Sequence, residues 1–377
     1  MSETDRGPAR LRRMNAARVL DALRTAGAPL PLNDLSERAD VSRSSVESLA
    51  AELVDLGLVS AEAPEENRGP GRPARSYALR GEAAALVGID IGAHRTTVLV
   101  GALDAVVRGR AERVTGPALG PRARLDSAVD AVREALTEAG MPDSAVRRIH
   151  VGTAGIVDRD GIVQRSGAIE GWSSAPIAEA LGVVAPAAAV RVDNDVRLAA
   201  LAEQRTGAAT GYADLLHVHL GTRAAAAIVI GGRAHTGHGG AAAEVGFLPA
   251  PSLGPAPGPA GPDIAEVADA LSRAESGEPA AVARVEEYLA AVVQRIAPLM
   301  AAIAPDAVVL GGGLTHSRAL IVQPLVDAVT PLLPADVPVL VAAHGDGGAA
   351  QGALLDAAAA VSSAQLLDAA RAASTTR

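Results

Sequence analysis

Apolar residues recur at helical spacing three times within the first 57 positions. In "MNAARVLDALRT", residues 14–25, Val19, Leu20 and Leu23 fall on one helical face, and "GAPLP" ends that helix. "LNDLSERAD" gives a second, short helix with Leu32 and Leu35 inward. Ser42 is a good N-cap for a third, in which Val46, Leu49, Leu53 and Leu56 follow at spacings of three, four and three before Gly57 stops it. Two short strands follow, "LVSAE" and "RSYALR", with a Pro/Gly/Arg loop between them.

Three helices and a two-stranded hairpin predict a winged helix-turn-helix over residues 1–80, whose third helix enters a major groove. Ser42, Arg43, Ser44 and Ser45 then face the groove. The loop between the strands is the wing: Gly69, Pro70, Gly71 and Pro73 hold it extended, and Arg68, Arg72 and Arg75 reach phosphates or a narrow minor groove. Glu47 is atypical there, because it repels phosphate. A solvated basic linker is the alternative reading of the loop.

From residue 84 the period changes. "ALVGIDIGAHRTTVLVGALD" is an apolar strand, a glycine turn and another strand, and "RLDSAVDAVREALTEAG" is an amphipathic helix. "IHVGTAGIVD", "AVRVDNDVRLAALAEQ", "LLHVHLGTRAAAAIVIGG" and "PDAVVLGGGL" are strands ending in Gly, Asp or Asn, interleaved with helices. The alternation predicts α/β layers over residues 84–377, with sites at the strand ends. Two strand-Gly-strand units, near residues 88 and 217, suggest a duplicated α/β fold. Residues 249–263 read as a Pro/Gly-rich loop.

Composition sharpens this picture. No run of 18 apolar residues is present, and the N-terminus lacks the apolar core of a secretory signal. Zero cysteines exclude disulfides and thiolate metal sites and suit a cytoplasmic setting. Aromatics at 1% leave little for stacking on single-stranded bases. The net charge of -9 lies entirely beyond residue 80: the first 80 residues balance 12 arginines against 12 acidic residues, with basic clusters either side of an acidic middle. A basic patch on an acidic protein fits a local DNA contact.

Candidate chemistry sits at the strand ends. Asp90 and Gly92 in "GIDIGAHRTT", and Gly221 and Thr222 in "HLGTRAAAAIVIGG", form turns that can offer backbone N–H groups to phosphate. Gly311, Gly312 and Gly313 form a turn where an adenosine could pack. Asp193, Asn194 and Asp195 crowd one strand end before a helix; a helix N-cap accounts for one of them. His217 and His219 share a strand face without an obvious third metal ligand, and read as buried or edge histidines. Trp172 reads as core.

In chain order, "NAARVLDALR", "SRSSVESLAAELVDLGLV", "GRPA", "GIDIG", "GTAGIVD", "GAIEGW", "VDNDVRLAALAE", "GHGGAAAEVGF", "VLGGGL" and "GGAAQGALLDA" resemble the ROK family of repressors, open reading frames and kinases, across nearly the whole chain. The resemblance implies a two-lobed actin/hexokinase-like (ribonuclease H-like) α/β body behind a winged helix-turn-helix. It implies that Asp195 meets a sugar hydroxyl and is the catalytic base if the chain is a kinase, that Asn194 and Glu244 bond the sugar, and that Gly155 approaches it. His238 joins them as a sugar contact, with an ordinary loop histidine as the alternative. Asp90, Gly92, Gly221 and Thr222 align with the phosphate loops.

Departures from the family pattern decide the expected function. Ala93, His94 and Arg95 follow Gly92 where the family has Gly-Thr; Arg223 replaces a glycine; Phe247 replaces a histidine that binds sugar or zinc; Ala168 replaces a sugar-contacting asparagine. With no cysteine, the family zinc is not expected, so neither metal nor cofactor is, and Mg-ATP enters only if kinase activity survives. The expectation is a DNA-binding regulator, a repressor rather than an enzyme, with a sugar or sugar phosphate as effector. It acts as a homodimer or tetramer on an inverted-repeat operator. The alternatives are an active ATP-dependent sugar kinase that also binds DNA, and a regulator answering to a protein partner.

Overall fold

The computed structural model describes residues 7–62, 75–116, 118–221, 224–247 and 264–375. Helix α1 (Pro8–Ala26) starts six residues earlier than the apolar pattern alone predicts, because Pro8 suits a first helical turn and the arginine-rich stretch after it forms helix well. Strand β1 (Leu30–Pro31), too short to show a period, leads into α2 (Leu32–Ala39). Helix α3 (Arg43–Asp55) is capped by Ser42, whose side chain accepts from the Ser45 amide. Strands β2 (Val59–Glu62) and β3 (Ser76–Leu79) complete a head whose sheet runs β1-β3-β2. The head therefore has one strand more than the expected hairpin.

The first lobe holds β4 (Ala85–Ile91), β5 (Arg95–Gly101), β6 (Val107–Val114), α4 (Pro121–Glu138), β7 (Val146–Thr153), the small hairpin β8 (Ile156–Val157) and β9 (Val163–Arg165), α5 (Ile177–Gly182), β10 (Ala189–Asn194) and α6 (Asp195–Thr206). The second holds β11 (Leu215–Leu220), β12 (Ala224–Ile230), β13 (Arg233–Ala234), α7 (Ile264–Glu275), α8 (Pro279–Ile303), β14 (Ala307–Gly311), α9 (Gln323–Val329) and β15 (Val339–Val341). Helices α10 (Gly348–Ala360) and α11 (Ser363–Thr375) end the described chain.

The two lobes repeat one topology. The first sheet runs β6-β5-β4-β7-β10 and the second β13-β12-β11-β14-β15. In each, the first strand pairs antiparallel with the second and parallel with the fourth. Glycine turns at residues 92 and 221 follow equivalent strands, so the duplication suspected from the strand-Gly-strand units is a duplication of whole sheets.

Helix α10 lies against β4 and α6 at backbone distance. A Cβ on Gly352 would meet the Leu198 carbonyl oxygen at 1.9 Å, and one on Gly88 the Ala350 oxygen at 2.4 Å. No other residue permits such an approach. Lobe one has its own core around Val87, Ile89, Val98, Val132, Ile149 and Trp172, and lobe two around Val218, Val292, Ile296, Leu310 and Leu325.

The apolar core does not divide where the sheets do. Val19, Leu20, Leu23, Leu49 and Leu53 of the head form one cluster with Leu354 and Ala357 of α10, Val361 just after it, and Leu366 and Leu367 of α11. Polar contacts border this seam: Ser363 Oγ donates to Asp21 at 2.6 Å, Arg24 to the Val361 carbonyl at 2.6 Å, and Arg371 to Glu52 at 2.5 Å, while Arg13 pairs with Asp368. Among the described residues no single helix is long and apolar enough to cross a membrane.

Candidate functional site

The carboxyl ends of β4, β7, β10 and β11 converge on one cleft between the lobes, and it has two compartments. One is lined by Gly155, Ala168, Asn194, Asp195, His219 and Glu244. The other is lined by Asp90, Gly92, Arg95, Gly221, Gly313 and Asp346. Asp195 and His219 line both. The cleft thus gathers Gly155, Asn194, Asp195 and Glu244 on one side, and Asp90, Gly92, Gly221 and Gly313 on the other, from points spread over more than half the chain.

The three polar residues at the end of β10 divide their work. Asp193 accepts from Arg197 Nε at 2.7 Å. Arg197, only 3% exposed, also donates to the carbonyls of Gly240 at 2.9 Å and Val157 at 2.8 Å. Asn194 caps α6, accepting from the Arg197 amide at 2.9 Å, and its amide group donates to the Gly155 carbonyl at 3.0 Å. Asp195 alone of the three is aimed into both compartments; its Oδ1 accepts from the Val196 amide at 2.8 Å. Asp193 and Asn194 hold the walls, Asn194 also bordering the first compartment, and Asp195 faces the cleft.

Carboxylates dominate the cleft. Burial raises the Asp195 carboxyl above the usual range, and His219 draws it back. Burial, helped by the nearby Asp195 charge, pushes Glu244 up to about 7. Asp90 is raised by burial and by Asp195, and its Oδ1 is buried without a hydrogen-bond partner. Arg95 reaches across the cleft to Asp346 at 2.7 Å, and Asp346 in turn sits over Gly313. Trp172 is core, as its lone apolar setting suggests, and donates to Thr153 Oγ1 at 2.8 Å.

His238 does not join the site. It is exposed and lines neither compartment, on a turn in which Gly237, Gly239 and Gly240 take left-handed φ values of 67°, 59° and 81°. What this turn delivers to the site is the Gly240 carbonyl that Arg197 grips. Gly311 and Gly312 lie behind Gly313: a Cβ on Gly311 would meet the His217 ring at 2.9 Å, and one on Gly312 the Leu220 carbonyl at 2.5 Å. Thr222 and Arg223 lie outside the described residues. No group of three or more His, Asp or Glu side chains among the described residues is arranged to hold a metal ion.

Four residues of the site escape sequence reasoning. His219, Arg197 and Asp346 carry no local signal beyond their place in a motif. Glu203, buried in α6, accepts from the amides of Ala208, Ala343 and His344 and fixes the loop that carries Asp346.

The candidate DNA surface is the exposed start of α3. Ser42, Arg43 and Ser44 are exposed and Ser45 is half-buried, with Ser42 Oγ donating to Ser45 Oγ at 2.8 Å. Arg43 and the exposed Arg75 make no ion pair with a described residue. Arg68 and Arg72 lie outside the described residues. Several arginines of α1 already have acidic partners at the surface: Arg12 pairs with Glu52 at 2.8 Å, Arg18 with Asp40 at 2.8 Å and Arg24 with Asp21 at 3.4 Å.

The profile of the ROK family matches residues 86–262 and 258–359, and that of the IclR helix-turn-helix domain matches residues 14–63. A Caldicellulosiruptor sp. (strain Rt8B.4) protein named "Putative xylose repressor" is 26% identical over 222 residues, 57% of this chain and 53% of that protein, so the alignment spans about half the length of this curated relative. The crystal structure of a ROK family transcriptional regulator, a homolog of the E. coli MLC protein, superposes with a TM-score of 0.70 at 18% identity, covering 96% of this chain and 99% of that one. A ROK hexokinase from Thermus thermophilus matches with a TM-score of 0.58 at 26% identity, over 72% of this chain and 97% of that one. The hexokinase covers the share of a body without its head; the regulator covers both.

Proposed function

The chain belongs to the ROK family, and from that premise we propose that it is a sugar-responsive transcriptional repressor: a head that binds duplex DNA and a body whose cleft senses a carbohydrate. The observation that carries this reading is the path from cleft to head. Gly345, Asp346 and Ala349 line the cleft at the start of α10. The far end of α10 passes through Val361 into α11, and α11 is packed on α1 and bonded to α3 through Arg371 and Glu52. A change of lobe angle at Asp346 is delivered to the head by two packed helices.

A sugar acts only if it binds the two lobe arrangements with different affinity. Asp195 and Glu244 supply hydrogen-bond acceptors for its hydroxyls, with Gly155 and Ala168 as close walls. The repressor named above favours a pentose such as xylose as the first ligand to try. We read the second compartment as a remnant rather than a working nucleotide site. Among its described lining residues, Asp90, Asp195 and Asp346 oppose a triphosphate, and Arg95 is already bonded to Asp346. We further propose that two copies place two heads on an inverted-repeat operator in the cytoplasm.

The test is selection of bound duplexes from a random pool, then fluorescence anisotropy on the winning duplex with D-xylose, D-glucose and their phosphates, each with and without Mg-ATP. Release by a sugar alone supports the reading. Failure to bind any duplex at low salt, or an affinity that no carbohydrate alters, sinks it. Sugar-dependent ADP release would replace the sensor with a kinase.

A further inference from the structure

We propose that His219 is a specificity-determining residue of the cleft, bracketing one sugar hydroxyl together with Asp195; this rests on reading the cleft as a carbohydrate site. The sheet makes room for the ring. Alternation along β11 sends Leu216, Val218 and Leu220 into the lobe-two core and turns His217 and His219 to the opposite face. The antiparallel cross-strand neighbour of His219 is Ala225, one of the smallest residues available. Its ring also lies over Gly221, where a Cβ would come within 2.6 Å of Nε2.

His219 borders both compartments of the cleft, as Asp195 does. The two are close enough for their charges to interact, yet no hydrogen bond joins them, and His219 bonds no other described residue. Three of the surrounding polar groups are engaged: Asn194 caps α6, Asp193 holds Arg197, and Asp346 holds Arg95, while Glu244 borders the same compartment and Asp90 the other. An imidazole N–H and a carboxylate oxygen are therefore left facing one space. A sugar hydroxyl complements the pair, donating to Asp195 and accepting from His219. A carboxylate alone can take the hydroxyl's proton but offers it no donor. The pair tests for a hydroxyl at one ring position, and a site that bonds a hydroxyl discriminates strongly against the deoxy analogue.

His217, two residues back, is the internal comparison. It is 1% exposed with both ring nitrogens lacking a partner, and burial pushes it down to about 3, so it is neutral. It borders neither compartment. The same side chain on the same face is thus a packing group at one position and a ligand group at the next.

The experiment measures binding of D-xylose, D-glucose and their monodeoxy analogues to the full chain, using Trp172 fluorescence and calorimetry. His219→Ala should weaken the parent sugar about tenfold and lower the discrimination against one deoxy analogue by a similar factor. His219→Asn, which restores a side-chain donor, should recover most of both. Thermal midpoint and duplex affinity should stay at wild-type values. Unchanged sugar affinity and discrimination in His219→Ala, while Asp195→Asn abolishes binding, overturns this inference and leaves the carbohydrate reading standing. Equal losses in His219→Ala and His219→Asn, with a lowered midpoint, overturn it in favour of packing. Absence of binding by the wild type overturns both.

Discussion

Arg371 on the last described helix donates a hydrogen bond to Glu52 on the third, at 2.5 Å and across 319 residues of sequence. Glu52 is also held by Arg12 at 2.9 Å, so one carboxylate ties α1, α3 and α11 together. Burial raises the Glu52 carboxyl, but the two guanidinium partners outweigh it and hold it below the usual range.

Arg371→Ala should therefore loosen the link between body and head more than it weakens the fold. The pair is partly exposed, so the loss in stability is under about 1 kcal/mol. The expected result is an unaltered sugar affinity with a reduced effect of sugar on DNA affinity, read by anisotropy with and without D-xylose. Because the Glu52 carboxyl is depressed, the contribution of this clamp is complete above about 4.5 and fades as pH falls below it.

Asp193 and Asp195 should separate stability from binding. Asp193→Ala leaves the Arg197 guanidinium buried without its counter-ion and should cost about 3 kcal/mol, measured by urea unfolding. Asp195→Asn removes a carboxyl that burial already disfavours as an anion, so it should fold at least as stably as the wild type while losing sugar binding. A stable Asp193→Ala would contradict the division of labour at this strand end.

Glu244 should give the protein a pH dependence of opposite sign to that of Glu52. Its folded value of about 7 lies above the ordinary 4.5. Its contribution is complete below about 4.5 and is lost as pH rises through about 7. Glu244→Gln should match the wild type near pH 4 and exceed it increasingly up to pH 8, by roughly 1–3 kcal/mol. Thermal melts of the two proteins across that range are the check.

Arg43 is exposed at the first turn of α3 and unpaired among the described residues. If it meets a phosphate, Arg43→Ala should reduce the slope of log affinity against log salt by about 0.9. Arg18→Ala, whose guanidinium is bound to Asp40, should leave the slope unchanged. Equal slopes for wild type and Arg43→Ala would remove this residue from the DNA contact.

Much of the architecture is legible because it is local. The Ser42 cap, the spacing of Val46, Leu49 and Leu53, and the glycine turn after β4 each announce themselves within a few residues. The candidate site is legible only in part. Asp195 and Glu244 stand in recognisable motifs and do line the cleft, but His238, in the same motif as Glu244, is exposed on a glycine turn outside it. His219 looks like a strand histidine until Ala225 and Gly221 are seen to clear space around it.

The sequence by itself determined the main helices and strands, a duplication hinted at by two strand-Gly-strand units and the small set of polar residues at strand ends, because hydrophobic period, caps and glycine turns act over a few residues at a time. Only the tertiary structure decided that Asp193 is spent on Arg197 while Asp195 lines both compartments, that Arg12, Arg13 and Arg18 of α1 are held by acidic partners, and that α11 closes on the head. Those outcomes depend on contacts between residues up to 355 positions apart, where burial and charge complementarity act and local periodicity carries no information.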